Sequence, residues 1–355
     1  MSRFIQVIAV GPGPREIVSS ELAAFGDAAR RGEAEKAVLN YWDMIRAHFE
    51  SEQALTGRDH LKISFSDLRR FARRVLKRLE ESPGSEIKSA VAEEGYNILA
   101  MGLRSENRQD LGREYAPGSG PVIRHEQEGD AVYLHIDGLR YPTRYKTLGE
   151  AQSHVYAAPI RPLIEAEKAM LAAMDAGARV LILEGLQGVG KTTDAEDLFA
   201  RLGIGTRLFQ THGGVRSSDW LGRLVRHKDG YAISSDIKDE EGRFLLDFIR
   251  AYTEGEVYIV EGGPMGKRAK EALSVLSRIA RGEKKLHLAH HPGEKVVELD
   301  MHPDFRVVIP YTPEGEVAEA EAMPVEVEIF AQKIWVGGEY SPDDYQAVIQ
   351  PLLSG

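Results

Sequence analysis

The run RVLILEGLQGVGKTT, Arg179 to Thr193, joins a strand, a glycine loop and a helix start in one short span. Arg179 to Leu183 is a short apolar segment of the kind buried on both faces of a parallel sheet. Gly185 to Thr192 then match G-x-x-x-x-G-K-[ST] in full, directly after the strand and at the start of a helix. Phosphate oxygens need several donors converging on one point. Glycines let successive backbone N–H groups turn inward, and the helix N-terminus adds positive potential. The candidate phosphate-binding residues are therefore Gly185, Gly188, Val189, Gly190, Lys191, Thr192 and Thr193. Lys191 is placed to neutralise the β- and γ-phosphates, and Thr192 to offer its hydroxyl to Mg²⁺.

Around this run the pattern is layered. Leu163 to Met174 reads as a helix ending at Gly177, and further strands are expected at Thr206–Gln210, Glu256–Val260 and Phe305–Ile309. Strands spaced by helices imply an α/β architecture. Upstream, from about Glu16 to Arg104, the apolar spacing is helical. Val38, Trp42, Ile45 and Phe49 form one stripe. A second helix has Ser66 as its expected cap, Asp67 in its first turn, and Leu68, Phe71, Val75, Leu76 and Leu79 on its buried face, with Ser82-Pro83-Gly84 as the stop. A third, carrying Ile87, Val91, Ile98 and Leu99, contains Gly95 and is followed by Gly102, which argue against continuity. Ser105 to Pro121 is polar and rich in breakers, as a linker is. Val122 to Tyr141 reads as a hairpin turning at Gly129-Asp130, with Val132, Leu134 and Ile136 on one face. The expected organisation is a helical domain over 1–110, a linker and β-hairpin region over 111–158, and an α/β nucleotide-binding core over 159–355. No repeat of fixed period occurs.

Composition narrows the classes. The chain has 355 residues and a formal net charge of −10, so a generic polyanion binder is disfavoured. Zero Cys excludes disulfides, thiolate metal sites and a Cys nucleophile, and fits a cytoplasmic setting. The opening residues, with Gly11-Pro12-Gly13-Pro14 cutting a short apolar run, read as a strand and turn and not as a signal peptide. No stretch approaches the roughly 20 apolar residues of a membrane helix.

From about Pro162 to Phe330 the text resembles the dynein-related, MoxR-like branch of the AAA+ ATPases. Arg207 to His212 followed by Ser218-Asp219-Trp220-Leu221-Gly222 is similar to that branch's second strand and the segment after it. Asp229-Gly230-Tyr231 and Phe244 to Tyr252 resemble the approach to the second nucleotide motif, and Glu254 to Glu261 resemble that motif's strand. Leu273, Leu276 and Ile279 resemble the helix that follows. His302 to Val308 resemble the strand carrying the family's Phe-Arg pair. The resemblance implies a three-layer P-loop NTPase core, ATP and Mg²⁺ as ligands, and a ring of like or mixed subunits. It also implies a protein partner or client, met through the N-terminal domain, in an assembly or remodelling complex. Glu261 then takes the metal-side carboxylate role and Thr312 the polar sensor role; these two are the candidate catalytic residues, with Thr192 and Glu261 as metal ligands.

The departures from the family are as specific. Adjacent Asp and Glu are expected where this chain has Glu261-Gly262, an Asn where it has Thr312, and an arginine finger where it has Ile329 before Phe330. Only 355 − 330 = 25 residues remain for a helical lid. Three readings follow: weak or partner-dependent ATP hydrolysis; a non-hydrolysing, nucleotide-gated structural or adaptor subunit; and a small-molecule kinase, suggested by Thr193 after Thr192 in the manner of thymidylate-type kinases.

Other clusters take plainer readings. Arg69, Arg70, Arg73, Arg74, Lys77 and Arg78 could track a phosphate backbone, but a solvated or protein-facing helix fits the net charge better than nucleic acid. His287, His290, His291 and His302 lack an acidic partner for a tetrahedral metal site and fall in an expected β-hairpin insertion. Trp42, Trp220 and Trp335 read as core or interface anchors.

Overall fold

The computed structural model describes residues 13–56, 64–103, 123–153, 161–211, 216, 218–227, 230–235, 237–261, 270–288, 297–312 and 325–337. The chain divides into two compact units, Met1–Leu99 and Ala100–Gly355. No helix among the described residues is long and apolar enough to cross a membrane.

Among its described residues the first unit holds four helices: α1 (Pro14–Glu21), α2 (Ala28–Thr56), α3 (Phe65–Glu81) and α4 (Ile87–Ile98). Val38, Trp42, Ile45 and Phe49 are buried along α2 as their spacing demands. Large apolar side chains buried in this way contribute about 1.5–3 kcal/mol each. The expected cap of α3 is corrected: Ser64, not Ser66, is the N-cap. Its hydroxyl accepts from the Asp67 N–H at 3.3 Å while Asp67 Oδ2 accepts from the Ser64 N–H at 2.7 Å, a reciprocal box that only the three-residue spacing closes.

The basic face is also not what its spacing suggests. Arg74 is buried and bidentate on Glu94 at 2.9 and 3.0 Å, Arg70 is buried on Asp67 at 3.0 Å, and Arg73 and Arg78 pair with Glu21 and Glu93. Gly95 does not break α4. It is required there, because a Cβ at Gly95 would lie 2.3 Å from the Tyr41 ring of α2.

The second unit begins with a 3₁₀ turn (Ala100–Gly102), then a three-stranded antiparallel meander of β1 (Ile123–Glu128), β2 (Ala131–Ile136) and β3 (Leu139–Pro142). The third strand, after a turn with Asp137 at φ 49° and Gly138 at φ 87°, is additional to the expected hairpin. Next come α5 (Leu148–Gln152), α6 (Arg161–Asp175), β4 (Val180–Glu184), α7 (Lys191–Arg201), β5 (Thr206–Gln210), α8 (Ser218–Leu221), and the β6 (Leu224–His227) and β7 (Gly230–Ile233) hairpin. The chain continues through α9 (Asp247–Glu254), β8 (Val257–Glu261), α10 (Lys270–Ala280), and the expected hairpin of β9 (Lys285–Leu288) with β10 (Val297–Asp300). It then forms β11 (Arg306–Tyr311), α11 (Val325–Glu328) and β12 (Gln332–Trp335).

Five strands make one parallel sheet in the order β12-β4-β11-β8-β5, flanked by helices. Each residue of β4 and β11 is buried, which explains the apolar runs Val180–Leu183 and Val307–Ile309 within them. Val180 and Ile182 of β4 pack with Phe248, Tyr252, Leu276 and Ile279 of α9 and α10. By strand alternation Leu181 and Leu183 face the other layer. Trp220 stacks on Phe248 at 5.4 Å between ring centroids, and Tyr252 meets Phe305 edge-on at 5.2 Å, so Trp220 is a core anchor.

Candidate functional site

The site forms where β4, β8 and β11 end together. Parallel strands bring Glu184, Glu261 and Tyr311 to the same edge of the sheet, and the loop from Gly185 to Gly190 leaves β4 there and turns into α7. Gly188 (φ 82°) and Gly190 (φ 89°) occupy left-handed backbone that other residues adopt at a cost, and Gly190 is the N-cap of α7. Gly185 is needed for another reason: a Cβ would lie 2.3 Å from the Val336 carbonyl oxygen, beyond β12. The same crossing is fixed by Gly185 N–H donating to Tyr311 O (3.1 Å) and Val336 N–H donating to Glu184 O (2.7 Å). Nothing near Gly185 in sequence announces Val336, so this part of the site was not legible. Val189 lies against the Gly185 and Gly337 backbones, filling space under the loop.

Lys191 is buried, and its ammonium curls under the loop. It donates to Gly185 O at 2.9 Å, Leu186 O at 2.7 Å and Thr312 Oγ1 at 3.2 Å. Burial pushes its pKa down to about 8, and none of these acceptors is a carboxylate. Thr192 donates its hydroxyl to Glu261 Oε1 at 2.8 Å. Val260, the other residue that could stand in that place, is buried in the aromatic core layer, so the strand's pleat directs Glu261 and not Val260 at the loop. Thr193 is exposed on the first turn of α7. The structure thus brings together Lys191 with Thr312 and Thr192 with Glu261, four of the five polar side chains singled out from the sequence. Gly262 lies outside the described residues.

Two features of the surroundings were not foreseen. The far end of α7 is tied down by β1 and by the segment after β3: Tyr145 donates to Ala200 O at 2.6 Å, His125 Nε2 lies 2.7 Å from Arg201 O, and Arg144 N–H donates to Leu202 O at 2.8 Å. Burial holds His125 below its ordinary pKa, which keeps the ring neutral with its Nε2 proton on that carbonyl. On the inner face of the same helix, Glu167 of α6 and Asp194 and Asp197 of α7 share a single guanidinium, Arg201. Burial pushes Glu167 up to about 8 and raises Asp194 well above the carboxylate range, its neighbours Glu167 and Asp197 adding to the effect. Asp197 and Arg201 at i, i+4 are a visible helix pair; the approach of Glu167 from α6 carries no sequence signal.

Two of the four candidate histidines can be placed. His287 lies 3.5 Å from Glu298 across the β9–β10 hairpin, His302 is engaged with Asp304 and Arg144, and His290 and His291 are outside the described residues. No group of three or more metal-binding side chains occurs among the described residues. Ile329 is 45% exposed after α11 and carries no charge.

Chemically, the arrangement offers a loop with two left-handed glycines at a helix N-terminus, a buried ammonium that meets no carboxylate among the described residues, and a hydroxyl–carboxylate pair of hard oxygens. Such a set suits a polyphosphate and a small divalent cation, which takes most of its ligands from phosphate and water. No protein-family model matches this chain, and no characterised protein matches it.

Proposed function

We propose that this protein binds ATP with Mg²⁺ as a MoxR-like AAA+ subunit of a protein assembly or remodelling complex, with hydrolysis that is weak or needs a partner. The observation that carries the reading is the hydroxyl–carboxylate pair: Thr192 and Glu261 come from elements 69 residues apart and meet at 2.8 Å beside Lys191. Three further features support it. β11 lies between β4 and β8, which sets Thr312 over the Lys191 ammonium. Gly188 and Gly190 take the backbone conformations that turn amides toward an anion. Among the described residues the charge of Lys191 is met only by carbonyl and hydroxyl oxygens, so an arriving triphosphate would supply the missing anion.

In this reading the loop amides and Lys191 hold the β- and γ-phosphates, and Val189 props the loop. Thr192 and Glu261 hold Mg²⁺, which when bound neutralises charge on the phosphate oxygens. Thr312 orients the Lys191 ammonium. Glycine at position 262, where the resemblance expects a second carboxylate to orient a water, supports slow turnover. The exposed Ile329, where the resemblance places an arginine, favours the second reading of a nucleotide-gated structural subunit that does not consume ATP.

Titration calorimetry with ATP·Mg²⁺ on wild type, Lys191→Ala and Thr192→Ala tests binding. Steady-state hydrolysis, alone and with co-purifying partners, separates the two readings. Vigorous turnover by the isolated chain, abolished in Glu261→Gln, would refute the claim of slow hydrolysis.

A further inference from the structure

The edge of the parallel sheet opposite the glycine loop gathers positive charge. Val307 of β11 and Val180 of β4 are in register, so Arg306 and Arg179, one residue earlier on each, stand abreast on the other face. Like charges side by side on neighbouring strands repel. These two converge further, because both guanidiniums donate to one acceptor, Pro303 O, from Arg306 Nη1 at 2.7 Å and from Arg179 Nη1. Arg306 is only 5% exposed. Its other bonds go to Phe305 O at 2.8 Å and Met174 O at 3.4 Å, and its Nε–H has no acceptor among the described residues. Burial and the neighbouring Arg179 bring its pKa down to about 10.

A third guanidinium arrives from the segment after β3. Arg144 donates to Asp304 Oδ2 at 3.1 and 2.8 Å and to Gly255 O at 2.9 Å, beside the shared Pro303 carbonyl. Asp304 is thereby engaged with Arg144, whereas Arg179 and Arg306 form no ion pair among the described residues. The remaining neighbours add little negative charge. His302 Nδ1 accepts from the Asp304 N–H at 3.1 Å, and burial together with Arg144 holds that ring below its ordinary pKa. Burial raises the Tyr141 phenol above its ordinary value, so it keeps its proton; Arg306 and Arg179 act on it from one side, and Asp175 and Asp304 from the other. The cluster is open to solvent at Pro303, which is exposed, and at the half-buried Arg179, Arg144, Asp304 and Tyr141.

We propose that Arg179 and Arg144, with the buried Arg306 behind them, form a second anion site that takes a small phosphate dianion, as the free ion or as a monoester. A guanidinium meets phosphate oxygens through a planar pair of N–H donors, and a dianion answers the excess charge of the cluster better than a monovalent ion does. Arg179 and the Tyr141 hydroxyl are the donors that face the ligand, and Asp304 competes with it for Arg144. The site is separate from the glycine loop. The five residues of β4 stand between them, roughly 17 Å at about 3.3 Å per residue.

The test is titration calorimetry on the full chain carrying Lys191→Ala, which weakens the glycine loop as a rival phosphate site. The probes are inorganic phosphate and glycerol 3-phosphate, with chloride at matched ionic strength as the control. Saturable heat is expected from a phosphate probe and not from chloride, and the stronger of the two phosphates identifies the source of the anion. Adding Arg179→Gln is expected to weaken binding on the order of tenfold or more. Adding Asp304→Asn, which releases Arg144 from its internal competitor, is expected to tighten it about threefold. That gain cannot arise from misfolding, so it decides the matter alone if Arg179→Gln does not fold. No saturable heat from either phosphate, unchanged affinity in folded Arg179→Gln, or no tightening in Asp304→Asn would overturn the proposal. Each outcome is independent of whether the glycine loop binds a nucleotide.

Discussion

Two buried cations, one in each unit, are treated in opposite ways. Arg74, on the helix that the sequence paints as a basic face, is closed off by a bidentate contact with Glu94, whose side chain is 2% exposed. Lys191, equally sequestered, is offered only two carbonyls and a hydroxyl. Lys168, in the same unit as Lys191, is buried too, yet its ammonium meets Asp137 at 3.4 Å. Compensation by a carboxylate is not universal, since buried Arg306 also donates only to the carbonyls of Pro303, Phe305 and Met174. What distinguishes Lys191 is that its ammonium lies under a glycine loop at the end of the sheet.

The largest effect that would break this contrast is on stability. Removing one member of a buried ion pair leaves the other charge stranded and costs about 3–5 kcal/mol. Glu94→Ala is expected to lose that much in urea unfolding. Lys191→Ala removes a desolvated charge along with its hydrogen bonds, and is expected to stay within about 1 kcal/mol of wild type. Equal losses in the two variants would mean that Lys191 is as structural as Arg74.

The second effect is on binding. Without Lys191, ATP affinity is expected to fall on the order of 100-fold, or about 2.7 kcal/mol. The pH dependence has a definite sign. Free Lys191 titrates at about 8 because burial disfavours its charge, and bound phosphates would raise that value. Affinity should therefore be greatest below pH 8 and decline as pH rises through it. At pH 8 binding should take up roughly 0.5 proton, read from calorimetry in buffers of different ionisation enthalpy. Lys191→Ala should take up none.

A third case sharpens the comparison because its charge is negative. Glu167, Asp194 and Asp197 crowd one Arg201, so the acids are over-supplied and burial holds Glu167 near 8. An acid whose folded pKa is raised binds its proton on folding. Its cost is absent below the ordinary value near 4.5 and grows as pH climbs to about 8. Glu167→Gln should accordingly unfold at higher urea than wild type at pH 8, by about 1–2 kcal/mol after allowing for relaxation, with the gap closing toward pH 5. A constant gap across that range would assign the gain to packing.

What the sequence discloses and what it conceals divides along the same line. Local spacing placed the strand Arg179–Leu183 and the glycine loop with Lys191 and Thr192 at the start of the next helix, whereas Glu261 and Thr312 were reached through the family resemblance. It could not show that Gly185 is dictated by Val336, that Gly95 is dictated by Tyr41, or that Arg74 is consumed by Glu94, since those constraints come from chain that is distant in sequence. The strand Gln332–Trp335 was missed because its run includes Gln and Lys, both of which are buried.

The smallest effect concerns a single serine. Ser64 and Ser66 both precede the apolar stripe of α3, and side-chain chemistry alone cannot choose between them. Asp67 makes the choice, since only a residue three positions earlier can exchange hydrogen bonds with it, and the same carboxylate then holds Arg70 at 3.0 Å. One acid therefore serves the helix start and the compensation of a buried cation. Ser64→Ala should cost about 1 kcal/mol and Ser66→Ala less than about 0.5. If the helix cap and the Arg70 pair are coupled through Asp67, the cost of Ser64→Ala should shrink in an Arg70→Met background, where the carboxylate is released to find other donors. Simple additivity in that double-mutant cycle would show the two roles of Asp67 to be independent.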